Sequence, residues 1–196
     1  MIKSILITFL LFLASYTYSQ EIEIGGELGL NISQLEYNGR TSGKVGNLAT
    51  FLTTDFLVSD NFSLAGKIGY ISKGGGNFND DTIIIDFNFK YLSLYLSPRL
   101  YFLNRSRFHP YFHISPSLSY LLSGKVNGTN IKDETENLDF AAQGGIGIKL
   151  DLNENLILDI NAGFEQGFSK VVSISLGQLH NRSLPYIGIG IRYSQK

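Results

Sequence analysis

Hydrophobic and polar residues alternate along eight separate segments of the chain. Side chains of a β-strand point to opposite faces with period 2, so each segment predicts a strand with one apolar face. The segments are Ile22 to Ser33, Asn47 to Val58, Phe62 to Ser72, Tyr91 to Phe102 with an extension back to Thr82, Tyr111 to Leu122, Leu138 to Asp151, Leu156 to Phe168 and Pro185 to Tyr193. Their lengths suit tilted strands that cross a bilayer, which need about 9–11 residues.

The links between the segments alternate between short and long. Three are short and rich in turn-forming residues: Ser59 to Asn61, Asn104 to Phe108 and Asn153 to Asn155. Four are long and polar: Gln34 to Gly46, Lys73 to Asp81, Ser123 to Asn137 and Ser169 to Leu184. Outer-membrane barrels have short periplasmic turns and long outer loops. The sequence predicts an all-β fold, an eight-stranded antiparallel up-and-down transmembrane β-barrel with both termini in the periplasm.

The polar face of the predicted strands is also the face with small residues. It carries Gly145, Gly147, Ser115 and Ser117 among others, whereas the apolar face carries bulky Leu, Ile and Phe. The interior of an eight-stranded barrel is only just wide enough for side chains, so the small polar face fits inside and the bulky face fits lipid. The alternative is a soluble, exported, lipocalin-like barrel that binds an apolar ligand in its lumen.

Aromatic residues of the apolar face fall near the strand ends. Membrane barrels carry an aromatic girdle at each interface, and we interpret these residues as two such girdles. Beside the short turns or the C-terminus lie Phe56, Phe62, Phe102, Phe112 and Tyr193, and toward the long links lie Tyr70, Tyr120, Phe140 and Phe164.

The predicted inner face carries charges of both signs. We expect a lumenal charge network of Glu23, Glu27, Asp55, Asp159 and Glu165 with Lys67, Arg99, Lys149 and Arg192. Burying one charge alone costs several kcal/mol, so these residues must pair with each other. Wide aqueous channels need about 16 strands, and we therefore expect a closed, salt-bridged lumen. Arg192 is expected among Glu27, Asp159 and Glu165.

The stretch before the fourth strand alternates in the opposite phase to the strand itself. Without a bulge, Ile83, Ile85, Phe87 and Phe89 point inward and form an apolar cluster that caps the barrel. A β-bulge near Lys90 is the alternative.

The N-terminus has the pattern of a secretory signal peptide. Lys3 supplies the positive charge, Ile5 to Ala14 supply the apolar region, and Thr17 and Ser19 suit a cleavage site. We expect a signal peptide over residues 1–19 and an outer-membrane β-barrel domain over residues 20–196. The chain has no Cys, which excludes disulfides and thiolate metal sites. The formal net charge of −1 gives no reason to expect a nucleic-acid partner.

The best candidates for catalysis are His113 and Ser115, because some outer-membrane lipid A deacylases use His, Ser and Glu on a small barrel. Both residues share the inward face near a short turn, where a lipid ester cannot reach. We therefore expect a protein that is not an enzyme, with no catalytic residue, cofactor or metal. An outer-membrane lipid-modifying enzyme is the second alternative.

Several stretches resemble the PorT-like outer-membrane β-barrel domain family of Gram-negative bacteria. They are Gly29 to Ser33, Phe56 to Leu64, Tyr70 with Lys73-Gly74, Tyr91 to Leu94, Asp139-Phe140 with Gly145 to Gly147, and Asn181-Arg182. The family tends to have an acidic residue where Lys67 stands and Pro where Tyr95 stands. The resemblance implies an outer-membrane location and, from the founding member of the family, a secretion-associated role in the envelope.

The closing strand resembles the C-terminal signal that the barrel-assembly machinery reads. Tyr186, Gly188, Ile191 and Tyr193 match the order of polar or aromatic, Gly and hydrophobic positions in that signal. The alternative is that any amphipathic last strand has a similar pattern.

From these patterns we expect a scaffold whose four long loops serve binding, adhesion or envelope assembly, since function on such folds usually lies in loops. The expected partners are outer-membrane lipid, the barrel-assembly machinery during biogenesis, and other envelope proteins that contact the loops.

Overall fold

A computed structural model describes residues 21–37, 40–76, 86–102, 107–174 and 177–195. The described residues form eight long strands: β1 (Ile22–Tyr37), β2 (Val45–Ser59), β3 (Phe62–Gly75), β4 (Phe87–Tyr101), β5 (Phe108–Val126), β6 (Leu138–Asp151), β7 (Leu156–Gly167) and β8 (Gly177–Gln195). Each strand pairs antiparallel with the next. The predicted signal peptide and the extension of the fourth strand to Thr82 lie outside the described residues.

The sheet closes on itself because the last strand pairs with the first. Ile22 lies opposite Gln195 at one end of this seam, and Tyr37 lies opposite Leu179 at the other. Closure leaves no free edge whose backbone groups would lack partners in lipid. The predicted eight-stranded antiparallel barrel is confirmed.

The two ends of the barrel differ. The short-turn end holds the turns after β2 and β6, the end of β4, the start of β5, and both ends of the described chain. Residues 104–106 of the predicted turn Asn104 to Phe108 lie outside the described residues. The long-link end holds three short strands, Arg40–Thr41, Thr129–Asn130 and Val172–Ile174, which pair with β1, β5 and β8. It also holds a 3₁₀ turn over Lys132–Glu134. Within the described residues, no helix has the length and apolar character needed to cross a membrane.

The barrel wall extends further at the long-link end than the alternation predicts. β1 continues to Tyr37, and β8 begins at Gly177 rather than at Pro185. Gly177 to Leu184 is mostly polar and shows no apolar face, but its backbone pairs with the extension of β1. Parts of the predicted loops Gln34 to Gly46 and Ser169 to Leu184 are therefore strand.

An irregularity in β8 accommodates Pro185. Between Ser183 and Tyr186, β8 holds one residue more than either neighbouring strand. Proline has no N–H to donate to a ladder, so it occurs in strands at bulges or edges. The bulge allows the strand to continue through the proline, which is why the start predicted at Pro185 was wrong.

The alternation of β4 continues without a break through Lys90. Phe87, Phe89 and Tyr91 are buried, whereas Lys90 and Leu92 are exposed. The inward placement of Phe87 and Phe89 is confirmed, and Ile83 and Ile85 lie outside the described residues.

A bulge does occur opposite this point, on the neighbouring strand. Lys90 pairs with Ser123 and Tyr91 pairs with Leu121, so Leu122 is the extra residue on β5.

Inward apolar side chains gather at the long-link end and form an apolar cap. Its members are Leu35, Ile71, Phe87, Phe89, Tyr91, Leu121, Val171, Val172 and Leu179. Each is at most 7% exposed. The cap closes the long-link end of the interior, and the polar residues of the lumen lie between it and the short-turn end.

Replacing Ile189 with Arg should lower the free energy of unfolding by about 2–4 kcal/mol, the cost of Arg or Lys near the bilayer midplane on the lipid face of a barrel. Ile189 is 54% exposed and lies between Leu28 and Ile160 in the middle of the wall. Urea titration of the barrel folded in lipid vesicles, read by its heat-dependent gel mobility, measures the change.

Asn130→Arg is the matched control, since Asn130 is exposed at the long-link end. It should change the free energy of unfolding by no more than about 0.5 kcal/mol. Equal urea midpoints for both variants would show that the outer face of β8 is not in lipid.

Candidate functional site

The interior of the barrel is filled by charged side chains from the inward faces of the strands. All nine residues of the predicted charge network point inside, and none is more than 8% exposed. They do not form one network. The structure distributes them over three clusters, stacked from the short-turn end to the long-link end.

The lower cluster, nearest the short-turn end, contains Glu23, Asp55, Arg99, Lys149, Asp159 and Arg192. Two carboxylates and two guanidinium groups form its centre. Arg99 Nη1 lies 3.0 Å from Asp55 Oδ2 and 3.0 Å from Asp159 Oδ2. Arg192 contacts the same two oxygens, at 3.2 Å for Asp55 and in a closer ion pair with Asp159. Each carboxylate is thus shared by both arginines, so neither buried charge lacks a partner.

Lys149, Tyr111 and Tyr101 extend the lower cluster, and the Tyr101 hydroxyl donates to Asp55 Oδ2 at 3.3 Å. Lys149 Nζ lies 2.6 Å from Glu23 Oε2 and 2.7 Å from Asp55 Oδ2. The hydroxyl of Tyr111 donates to Asp159 Oδ1 at 2.7 Å, and the Arg99 guanidinium lies 4.6 Å from the centre of the Tyr111 ring. Hydrogen bonds and cation–π contacts of this kind offset the desolvation of buried charges.

The middle cluster is built around Glu27 of β1. Glu27 Oε1 accepts hydrogen bonds from Lys67 Nζ at 2.7 Å and from the hydroxyl of Tyr186 at 2.6 Å. Glu27 Oε2 accepts from Asn161 Nδ2 at 3.1 Å. Tyr186 belongs to β8, so this cluster also connects the two strands of the closing seam.

Arg192 therefore has one of its three expected neighbours. Its ion pairs among the described residues are with Asp159, Asp55 and Glu23. The expected contacts with Glu27 and Glu165 are wrong, because those carboxylates lie at the levels of Lys67 and Lys73.

The upper cluster contains Lys73, Asp139, Glu165, Tyr95 and Asn181. Lys73 Nζ lies 2.6 Å from Glu165 Oε1 and 3.1 Å from Asp139 Oδ2. Tyr95 donates to Glu165 Oε2 at 2.7 Å, and Asn181 Nδ2 donates to Asp139 Oδ2 at 3.0 Å. The apolar cap lies directly above, where Lys73 Nζ is 5.4 Å from the centre of the Tyr91 ring.

Lys73 and Asp139 are interior charges that the sequence analysis missed. Lys73 was assigned to a long link, and Asp139 lay in the predicted sixth strand but was not counted among its inward charges. Both are in phase with inward residues of their strands, Lys73 with Lys67 and Asp139 with Lys149. Extending the alternation of the third strand past Ser72 would have found Lys73, and applying the alternation at the start of the sixth strand would have found Asp139.

Counted together, the buried side chains of the described interior hold nearly balanced charge. The carboxylates are Glu23, Glu27, Asp55, Asp139, Asp159 and Glu165, and the cations are Lys67, Lys73, Arg99, Lys149 and Arg192. Their side chains occupy the lumen from the level of Glu23 up to the apolar cap.

A cavity of about 680 Å³ opens at the short-turn end. Its lining includes the turn residues Asp60 and Asn153 and, deeper, Glu23, Tyr101 and Lys149. The cavity thus reaches the lower cluster, whose ion pairs close the lumen beyond it.

His113 and Ser115 lie inside the barrel and are in contact. His113 Nδ1 is 3.0 Å from Ser115 Oγ, which is 2.5 Å from Ser97 Oγ. The second ring nitrogen of His113 has no hydrogen-bond partner among the described residues. Both side chains are buried, at 5% and 0% exposure.

The predicted girdle residues all belong to the outward face of the wall. Phe102, Phe112, Tyr120, Phe140, Phe164 and Tyr193 are exposed, and Phe56, Phe62 and Tyr70 are half-buried. Phe102 and Phe112 contact each other edge to face, with ring centres 4.6 Å apart. Of the four residues matching the assembly signal, Tyr186 and Gly188 face inward, whereas Ile191 and Tyr193 face outward.

Comparison with known families identifies the class of barrel. The family model of the outer membrane protein β-barrel domain matches residues 18–173, well over half of the chain. The chain belongs to this family. It is thus a protein of the outer membrane of Gram-negative bacteria. No curated protein gives a match.

Solved structures of outer-membrane barrels share the fold. OprG from Pseudomonas aeruginosa aligns with a TM-score of 0.60 at 12% identity, over 90% of this chain and 95% of its own. Neisserial surface protein A aligns with a TM-score of 0.57 at 14% identity, over 88% and 96%. A major outer membrane protein from Thermus thermophilus aligns with a TM-score of 0.52 at 13% identity, over 91% and 100%. Likeness at these identities concerns the fold alone.

An outer-membrane barrel agrees with the distribution of apolar side chains. Leu28, Leu48, Leu52 and Ile114 are each at least 67% exposed on the outer wall, whereas the lumen holds the charges. A soluble barrel with an apolar lumen would require the reverse, so that alternative was wrong.

Replacing Asp159 with Asn should lower the free energy of unfolding by about 3–5 kcal/mol, the typical cost of removing one partner of a buried ion pair. Arg99 and Arg192 would then share only Asp55 at the centre of the lower cluster. Urea titration in lipid vesicles measures the change.

Glu36→Gln provides the control. Glu36 lies 3.7 Å from Arg182 in a pair whose side chains are 31% and 38% exposed. Because exposed pairs contribute little, its loss should cost at most about 1 kcal/mol. Equal losses for the two variants would contradict the central role of the buried cluster.

Proposed function

We propose that this chain is a non-enzymatic scaffold of the outer membrane that binds partners at its long-link end. The role is binding, adhesion or assembly of a secretion-associated envelope complex. The observation that carries the proposal is the filled interior, with three charge clusters below an apolar cap. These ion pairs and the cap lie across the lumen in the described part of the chain, so we place partner binding at the ends of the barrel.

The long-link end is the more elaborate of the two. Its wall extends beyond the upper girdle, the aromatic residues toward the long links (Tyr70, Tyr120, Phe140 and Phe164). It also carries three short strands and a 3₁₀ turn. The short-turn end has compact turns that return directly into the wall, as at Asp60-Asn61 between β2 and β3. We propose that the long-link end faces outward and that both termini are periplasmic, in the manner of outer-membrane barrels.

We further propose membership of the PorT-like group within the family. Three of the stretches that carry the resemblance are far apart in sequence and meet in the upper cluster. Lys73 and Asn181 both contact Asp139, and Asn181 also donates to the hydroxyl of Tyr91 at 3.2 Å. Contact between residues of separate stretches places the resemblance at one position in the fold, which supports the proposal. Assembly by the barrel-assembly machinery, through Tyr186, Gly188, Ile191 and Tyr193, belongs to the same proposal.

The absence of catalysis is supported by the surroundings of His113. A serine nucleophile needs a base within reach and a third group that orients the base. No carboxylate hydrogen-bonds to His113 among the described residues, and both side chains are shielded from lipid by the barrel wall.

Replacing His113 and Ser115 with Ala should leave the acyl chains of lipid A unchanged, because neither residue can contact them. Mass spectrometry of lipid A from cells that express the wild-type chain or the double variant tests this. A difference in acyl pattern between the two would establish an enzyme and overturn the proposal.

Reversing the charge of Asp133 and Glu134 to Lys should abolish partner binding if the long-link end is the binding surface. Both residues are exposed in the 3₁₀ turn. Cross-linking in cells, followed by purification in mild detergent and quantitative mass spectrometry, should show at least about tenfold less partner, since like charges at an interface cost several kcal/mol.

Asp60→Lys with Glu154→Lys is the matched control, because it makes the same charge change at exposed positions of the short-turn end. Loss of partners in the control alone would reverse the assignment of the binding end.

The chain has no Cys, so single cysteines at Asn130 and Asn153 report orientation directly. A membrane-impermeant maleimide should label Asn130→Cys in intact cells and Asn153→Cys only after the outer membrane is opened.

A further inference from the structure

Two lysines lie side by side on the outer wall above the upper girdle. Lys90 of β4 pairs in register with Ser123 of β5, and Lys125 of β5 pairs with Asn88 of β4. Lys90 and Asn88 share one face of β4, and Ser123 and Lys125 share the same face of β5. The lysines are therefore diagonal neighbours across the two strands, and both are exposed.

The bulge at Leu122 is what turns Lys125 to the outside. Odd-numbered residues of β5 up to Leu121 point inward, so Lys125 would follow them into the lumen if the alternation continued. The extra residue reverses the phase. Gly124 is buried against Phe89 and Thr135, and Lys125 is exposed. Bulges commonly re-aim a side chain at functional positions.

The two ammonium groups have no ion-pair partner among the described residues, although the exposed carboxylate of Asp86 lies on the same face near Lys125. Neither lysine forms an ion pair in the described part of the chain. Their neighbours on the wall are Ser72, Ser123 and Asn88, and the carboxylate on this face is Asp86, just before β4. Like charges on adjacent strands repel, and an anion between them would relieve that repulsion.

A groove in the outer wall begins directly below Lys90. It has a volume of about 430 Å³ and is lined by Thr50, Leu52, Ile68, Tyr70 and Leu92 among others. Leu92 and Lys90 lie on the same face of β4, about 7 Å apart along the strand. The groove thus ends at Leu92, next to Lys90 along β4, and Lys125 lies on the adjacent strand β5.

We infer that this surface binds a phosphorylated glycolipid of the outer leaflet. Lys90 and Lys125 hold the phosphate through charge-assisted hydrogen bonds, and an acyl chain lies in the groove beside Tyr70. Tyr70 and Tyr120 mark the interface, so the lysines two to five residues above them meet the lipid headgroups. The inference rests on the proposed orientation, with the long-link end facing outward.

The test measures lipid A bound to the barrel in nanodiscs of phosphatidylcholine that contain a fixed fraction of bisphosphorylated lipid A. Native mass spectrometry after gentle detergent release counts the bound molecules. Lys90→Gln with Lys125→Gln should reduce bound lipid A about tenfold, the effect expected when charge-assisted hydrogen bonds are lost. Arg40→Gln with Lys170→Gln removes two exposed cations elsewhere at the same end and should leave binding unchanged.

Two further measurements identify the ligand. Lipid A without phosphates should bind the wild-type barrel and the Lys90/Lys125 variant equally weakly. Thr50→Phe fills the groove and should weaken the binding of phosphorylated lipid A. Lipid A binding should persist in about 10 mM inorganic phosphate at constant ionic strength, because the acyl chain adds contacts that free phosphate lacks, and displacement would overturn the lipid as the ligand. The heat-dependent gel shift verifies that every variant is folded.

Equal binding by the wild-type barrel and the Lys90/Lys125 variant would overturn the inference. Binding in nanodiscs does not depend on the direction of insertion in the cell. Maleimide labelling of Asn153→Cys in intact cells would therefore overturn the proposed orientation alone, whereas unchanged lipid binding would overturn the site alone.

Discussion

The narrow bore of an eight-stranded barrel is the constraint on which the rest of this structure depends. So small a circumference leaves room for little more than one layer of side chains on each level. At some levels a glycine makes room for a large interior side chain of the next strand. The ring of Tyr111 lies over Gly147 on the adjacent strand, and a methyl group there would overlap it. The small inner face in the sequence thus serves the charged lumen, because glycines such as Gly147 leave space for a large polar side chain on the neighbouring strand.

The same narrowness explains why the charges are arranged as shared pairs. Each level holds acids and bases from different strands, so every cluster joins parts of the wall that are distant in sequence. Lys149 and Glu23 are an example, 126 residues apart and 2.6 Å from each other. At the closing seam, Tyr186 and Glu27 add a side-chain hydrogen bond to the backbone ladder. Lipid is as apolar as the outward side chains, so the hydrophobic effect does not select one strand pairing over another. The polar contacts inside the barrel and the backbone ladder therefore stabilise the pairing of the strands that close it.

Alternation alone predicted the wall, the faces and the nine interior charges, because a bilayer outside and a narrow lumen inside impose opposite chemistry on successive residues. Pairing between particular charges was not predictable. Arg192 contacts Asp55 rather than Glu27 because the stagger of neighbouring strands, which the sequence does not encode locally, sets the levels. Above the membrane the rule weakens. There Gly177 to Leu184 forms a strand through its backbone pairing, and Leu122 inserts as a bulge, without an apolar pattern to reveal either.

The extension of the wall beyond the upper girdle has a consequence for recognition. On β5, the seven residues from Tyr120 to Val126 span ~20 Å along the strand. Their backbone is held by ladders to β4 and to the short strand Thr129–Asn130. A recognition surface on such a rim loses little conformational freedom when a partner docks, whereas a flexible loop of equal length must first be ordered. Residues at this end are therefore preorganised, and more of their contact energy remains available as affinity.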